Sequence, residues 1–174
     1  MTTANKLTLL RIILVPVFLA VLYAGVAHAN IIALVIFIVA SLTDMLDGYI
    51  ARHYNQITNF GKFMDPLADK ILVMSAMCWF VESGVMPGCA LAIVLFREFA
   101  VSGMRLVAVE QGKVIAAAWS GKVKTAATMV CLILMLFGIP DTLNTICIWI
   151  IVLTTVYSGV EYFYKNRDVF QNAD

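Results

Sequence analysis

The sequence predicts an all-α, polytopic membrane protein with six transmembrane helices, and three observations predict it. Of the 174 residues, 62% are hydrophobic and only 13% are charged, against about 25% charged in an average soluble protein. The apolar residues fall into six runs, each near the roughly 20 residues that a bilayer core requires. The basic residues gather on one side of those runs. A soluble domain of this size cannot hide so much apolar surface. Disorder and a coiled coil are excluded as well, because both need polar or charged faces.

The first run, Leu7 to Gly25, follows Lys6 and precedes Ala27-His28-Ala29, a pattern also seen at the cleavage site of a leader. Its length suits a full crossing, so it is read as a retained helix. The second run, Ile31 to Arg52, starts after the turn-forming stretch Gly25 to Asn30 and ends in a segment rich in aspartate. Asn55 to Gly61 breaks the chain before the third run, Lys62 to Glu82. Gly84 to Gly88 separates that run from the fourth, Cys89 to Val109, and Gln111 to Lys113 ends the fourth. Trp119 to Phe137 is the fifth run. Gly138 to Asp141 leads into the sixth, Leu143 to Phe163. Residues from Tyr162 to Asp174 read as a polar, exposed end. Residues 1–174 read as a single domain, with no internal repeat. The cysteines Cys78, Cys89, Cys131 and Cys147 lack CxxC spacing and read as packing residues, not as a disulfide framework or a zinc site. Trp79, Trp119 and Trp149 read partly as interfacial anchors.

Threading the six runs with both termini on one side leaves the breaks near 26–30, 83–88 and 138–142 on the other. Those breaks carry no Lys or Arg. All twelve basic residues belong to the termini side or to helix halves leading to it, Arg97 being the deepest. The positive-inside rule then makes both termini cytoplasmic. A net charge of +1 implies no general affinity for polyanions, and no nucleic acid partner is expected.

The chemistry-bearing residues flank the second break. The second run ends Asp44-x-x-Asp47-Gly48-x-x-Ala51-Arg52, and the third begins Gly61-x-x-x-Asp65-Pro66-x-x-Asp69. On a helix, residues three and four apart are separated by about 60° and about 40°, so each aspartate pair shares a face. Four ionised carboxylates at one end of two neighbouring helices repel one another, and divalent cations relieve that repulsion. All-oxygen ligation suits Mg²⁺ or Mn²⁺. Two such ions, about 3.5–4 Å apart, clamp the attacking and leaving oxygens of a phosphoryl group. Gly48, Ala51 and Gly61 lack bulk and let an extended ligand lie against the backbone. Arg52 adds a fixed cation for a phosphate.

With the eight residues between Arg52 and Gly61, this pattern resembles the signature of the CDP-alcohol phosphatidyltransferases at every position. The resemblance implies that Asp44, Asp47, Asp65 and Asp69 bind the metals, and that Asp69 is the general base. It implies contacts to the CDP moiety from Gly48, Arg52 and Thr58, and from the N-terminal pair Asn5 and Thr8. It also implies CDP-diacylglycerol as donor, a homodimer, and an active site on the cytoplasmic side of the inner membrane.

The acceptor is read from the fourth and fifth runs. Arg97 and Arg105 are eight residues apart, about 80° around a helix. Charges inside a span are costly and mark function by default. With Lys113, Lys122 and Lys124 they form a cationic pocket for a phosphorylated acceptor. The segments Arg97-Glu98-Phe99 to Arg105, Gly121-Lys122-x-Lys124-Thr125 and Ser158-Gly159-x-Glu161-Tyr162 resemble the branch of the family that uses sn-glycerol 3-phosphate. That implies phosphatidylglycerol phosphate and CMP as products. Inositol phosphate, serine or phosphatidylglycerol would be alternative acceptors for the same chemistry. A cation transporter is a reading of another class, but it predicts carboxylates near the bilayer midplane, and these cluster at one interface.

Overall fold

The computed structural model describes residues 3–53, 59–113, 115–116 and 118–171, and among them the side chains at 7–43, 64, 67–113, 115–116 and 118–169. The described chain is helical, with no strand: α1 (Thr3–Tyr23), α2 (Ala29–His53), α3 (Asn59–Glu82), α4 (Gly88–Glu110), α5 (Trp119–Phe137), α6 (Asp141–Lys165) and a short α7 (Asp168–Gln171). Six long helices match the six apolar runs. Most reach a few residues beyond their runs, because the backbone ladder continues through polar flanks until a turn residue stops it. Gly84 and Gly138, at φ of 76° and 86°, adopt the left-handed conformation that ends α3 and α5. Pro87 and Pro140 then open α4 and α6 at their N-caps.

Among the described residues two helices, α5 and α6, are long and apolar enough by themselves to cross a bilayer. Leu7–Tyr23 and Ala29–Thr43 are shorter apolar segments. Within α4, the charges Arg97, Glu98, Arg105 and Glu110 interrupt the apolar run. Large apolar side chains nevertheless face outward on several helices, among them Phe96, Phe99, Leu106, Trp149 and Leu153. An exterior of this kind fits membrane association.

The chain divides into two compact units: residues 1–83 with 133–139, and residues 84–132 with 140–174. The division falls inside α5. In the first unit α1 lies against both α2 and α3, which also pack on each other. Its core combines Phe18, Phe37, Leu72, Met77 and Phe80 with the alanines Ala33, Ala40 and Ala76. Such small residues let helix backbones approach closely. Trp79, expected as an interfacial anchor, stands edge-on to Tyr23 at 5.0 Å, and the Tyr23 hydroxyl bonds Glu82.

In the second unit α6 and α7 both pack on α4. Here the expected exposed end from Tyr162 is corrected in part: Tyr164, Lys165, Arg167 and Asp168 are exposed, but two apolar side chains are not. Tyr162 and Val169 are only 1% and 4% exposed, and they join Val101, Met104 and Ala108 in one apolar cluster. The polar residues around them hid this contact, because two apolar side chains in a short segment set no periodicity.

Candidate active site

The aspartates lie where α2 ends and α3 begins. Asp47 and Asp65 are each six residues from the helix end nearest the connection, and Asp44 and Asp69 are nine and ten residues from it. At 1.5 Å per residue, these are depths of about 9 Å and about 14–15 Å. The helices pack on each other, and by count along the chain both pairs lie in the helix halves that flank the connection. The side chains of Asp44, Asp47, Asp65, Asn5, Ala51 and Arg52, and the surroundings of Gly48 and Gly61, lie outside the described residues, as does Thr58 entirely. Asp69 is half-buried, and Thr8 on α1 is buried. Among the described side chains no group of three His, Cys, Asp or Glu forms a metal site; three of the four expected ligands are not among them. The donor set itself, four carboxylates with no nitrogen or sulfur ligand among them, fits a hard divalent cation.

One residue here was not singled out by sequence reasoning. Arg11 on α1 is fully buried, and its Nε donates to the Ala40 carbonyl at 3.3 Å. Ala40 is one helical turn before Asp44 on the same face of α2. The buried guanidinium therefore sets positive charge beside the approach to the acidic segment. The sequence signal was an arginine inside an apolar span, three residues after Thr8.

A second polar cluster is built in the other unit from α4, α5 and α6. Arg97 bonds Glu98 Oε1 at 3.0 Å and the Ser158 hydroxyl at 2.7 Å. The Lys124 ammonium donates to the same Glu98 oxygen at 2.5 Å. These side chains are 13%, 12% and 7% exposed for Arg97, Glu98 and Lys124. Two glycines make room for the arginine. A Cβ on Gly159 would stand 3.3 Å from Arg97 Cγ, and one on Gly121 would stand 3.5 Å from an Arg97 terminal nitrogen. Among the described side chains two cations share this one carboxylate, an excess of one positive charge, and Arg97 Nε is buried without a hydrogen-bond partner. An arrangement of this kind accepts an anion.

Arg105 lies two turns further along α4. It is exposed, its Nε donates to the Tyr162 hydroxyl at 3.0 Å, and its guanidinium carbon is 5.6 Å from the centre of the Tyr162 ring. Lys113, in the turn after α4, and Lys122, on α5, are exposed. Of the five expected acceptor cations, the structure thus joins Arg97 and Lys124 through Glu98 and seats Arg105 on Tyr162. A spacing of seven suggests that Glu98 orients Arg105, but Glu98 holds Arg97 and Lys124 instead; Ser158 and Tyr162 stood in the sequence pattern without a contact, and each is now the partner of an arginine.

Comparison with known proteins places the chain in a family. A model of the CDP-alcohol phosphatidyltransferase family matches residues 1–157. The chain is 39% identical over 188 aligned positions to a CDP-diacylglycerol–glycerol-3-phosphate 3-phosphatidyltransferase of Bacillus subtilis (strain 168), covering 98% of this chain and 97% of that protein. It is 39% identical to a probable phosphatidylglycerophosphate synthase of Mycobacterium tuberculosis (strain CDC 1551 / Oshkosh), over 95% of this chain and 82% of that one. It is 33% identical to a CDP-diacylglycerol–glycerol-3-phosphate 3-phosphatidyltransferase of Rickettsia felis, over 95% of this chain and 96% of that one.

Proposed function

Because the chain belongs to the CDP-alcohol phosphatidyltransferase family, we propose that it transfers the phosphatidyl group of CDP-diacylglycerol to sn-glycerol 3-phosphate, forming phosphatidylglycerol phosphate and CMP. The observation that carries this reading is the complete aspartate signature, at the end of α2 and the start of α3. The choice of acceptor is supported by the cations of α4 and α5 and by the names of the relatives at 33–39% identity.

The family generally uses a divalent metal. Asp44, Asp47, Asp65 and Asp69 would hold it, as one or two ions of Mg²⁺ or Mn²⁺. When bound, it offsets charge on the transferring phosphoryl group and on the departing CMP. The chain's own residues supply the rest. Arg52, Gly48 and Thr58, with Asn5 and Thr8, seat the CDP moiety, and the small Ala51 and Gly61 leave it room. Arg97, Arg105 and the neighbouring lysines hold the acceptor phosphate, and this positioning supplies much of the rate. Asp69 takes the proton from the acceptor's primary hydroxyl. That oxygen bonds to the phosphorus bearing diacylglycerol, and the bond from this phosphorus to the CMP oxygen breaks.

In this reading residues 1–174 are one catalytic domain of six spans in the inner membrane. Both termini and the site are cytoplasmic, and the protein acts as a homodimer within the bilayer. Purified protein with CDP-diacylglycerol should release CMP when glycerol 3-phosphate is added. Chelator should abolish that release, and added Mg²⁺ or Mn²⁺ should restore it. Release with inositol phosphate or serine, and none with glycerol 3-phosphate, would refute the acceptor. Arg105→Ala should raise the KM for glycerol 3-phosphate about tenfold or more, through loss of a charge-assisted contact. The KM for the lipid donor should change little. Equal rises in both would remove Arg105 from the acceptor site.

A further inference from the structure

We infer that α7 is a strap that fixes Arg105 by clamping Tyr162, which makes Tyr162 and Val169 positioning residues for the acceptor; this rests on the reading of Arg105 as an acceptor-binding cation. A four-residue helix does not hold its shape alone, and α7 is held from three sides. Val169 is buried against Tyr162 and the α4 residues Val101, Met104 and Ala108. Gln111, the residue that ends α4, donates through its side chain to the Val169 carbonyl at 3.0 Å. Asn166, the residue that ends α6, bonds the Tyr162 carbonyl through its side chain at 2.7 Å, and its own carbonyl accepts from the Val169 N–H at 3.1 Å. The chain thus turns back after α6 and ties the end of α4 to the end of α6.

Tyr162 is the part of this clamp that reaches the chemistry. Its ring is buried in the cluster, while its hydroxyl and its face both engage Arg105. An arginine is a long side chain with many rotamers, and an exposed one ordinarily samples them. Here the phenol takes Nε and leaves the terminal guanidinium nitrogens for a ligand. Both arginines of α4 bond α6 but through different atoms, Arg97 through a terminal nitrogen to Ser158 and Arg105 through Nε to Tyr162, Ser158 and Tyr162 being one turn apart on α6. The family-wide match ends at residue 157, so Ser158, Tyr162, Asn166 and Val169 all lie beyond it. The donor residues lie within it.

The test is steady-state kinetics of full-length variants in detergent–lipid micelles. Tyr162→Phe keeps the ring and removes the acceptor oxygen. It should raise the KM for glycerol 3-phosphate about tenfold and leave kcat and the KM for CDP-diacylglycerol within about twofold of the parent. Val169→Asp, which detaches α7 from the cluster, should give the same split, and Val169→Ile should behave as the parent. The double variant Tyr162→Phe/Val169→Asp should be no worse than the more affected single variant, since both act on one contact. Unchanged acceptor KM in Tyr162→Phe, or acceptor and donor KM rising together, overturns the inference. Amide hydrogen exchange over residues 101–111 reads the strap without turnover. It should be faster in Val169→Asp, or in the milder Val169→Ala if the charged variant does not fold, and unchanged exchange overturns the strap. Failure of the proposed function looks different: the parent protein would release no CMP with glycerol 3-phosphate, whatever the exchange shows.

Discussion

Asp69→Asn is expected to lower kcat by about 10³-fold or more, within or beyond the range that a positioned general base contributes, while the folded protein melts no lower than the parent. The change is nearly isosteric. Asp69 is half-buried on α3, so the amide fills the same space. What is lost is the proposed base for the acceptor's proton, together with one oxygen anion of the proposed metal set. Stability should move the other way. In the proposed site, four carboxylates deprived of their cation by chelator repel one another, and neutralising one relieves part of that repulsion. The melting temperature of Asp69→Asn in chelator should therefore equal or exceed that of the parent, and added Mg²⁺ should raise it less. The measurements are CMP release and thermal melting, each with and without Mg²⁺. Near-parental turnover would remove Asp69 as the base. A large loss of stability in chelator would make it a structural residue.

Those aspartates could be singled out from the sequence because helix periodicity alone carries their message. Spacings of three and four place residues on a common face whatever the rest of the chain does, and the break between the second and third runs sets both pairs at one end. The apolar runs were readable for the same local reason. The partners of the cations were not. Arg97 and Ser158 are 61 residues apart, Arg105 and Tyr162 are 57, and Lys124 and Glu98 are 26. Each pairing depends on which faces of α4, α5 and α6 meet, and no local spacing encodes that. Lys124 is the clearest case. Beside Lys122 at the start of an apolar run it reads as one more basic residue, yet it is buried on Glu98 while Lys122 is exposed. Arg11 was hidden differently: a lone arginine near the start of a span is equally compatible with a charge reaching outward to the headgroups, and only the packing of α1 on α2 turns it inward.

Glu98 carries the largest expected effect on stability. It is the carboxylate that holds Arg97 and Lys124 together, and all three side chains are at most 13% exposed. Glu98→Ala would leave two buried cations facing each other without their shared anion. Removing one member of a buried ion pair costs about 3–5 kcal/mol, which for a chain of this size lowers the melting temperature by roughly 10 °C. Lys124→Met should cost less, because Glu98 keeps Arg97 and the methionine fills most of the lysine's volume. The double variant Glu98→Gln/Lys124→Met removes one charge of each sign and should recover much of the loss, since the group left behind is a single arginine still bonded to Ser158. Thermal melting of the three proteins in the same micelles checks the order. A Glu98→Ala protein that melts within two degrees of the parent would mean that water already screens these charges. The excess positive charge assigned to the acceptor phosphate would then be a solvated surface instead of a binding site.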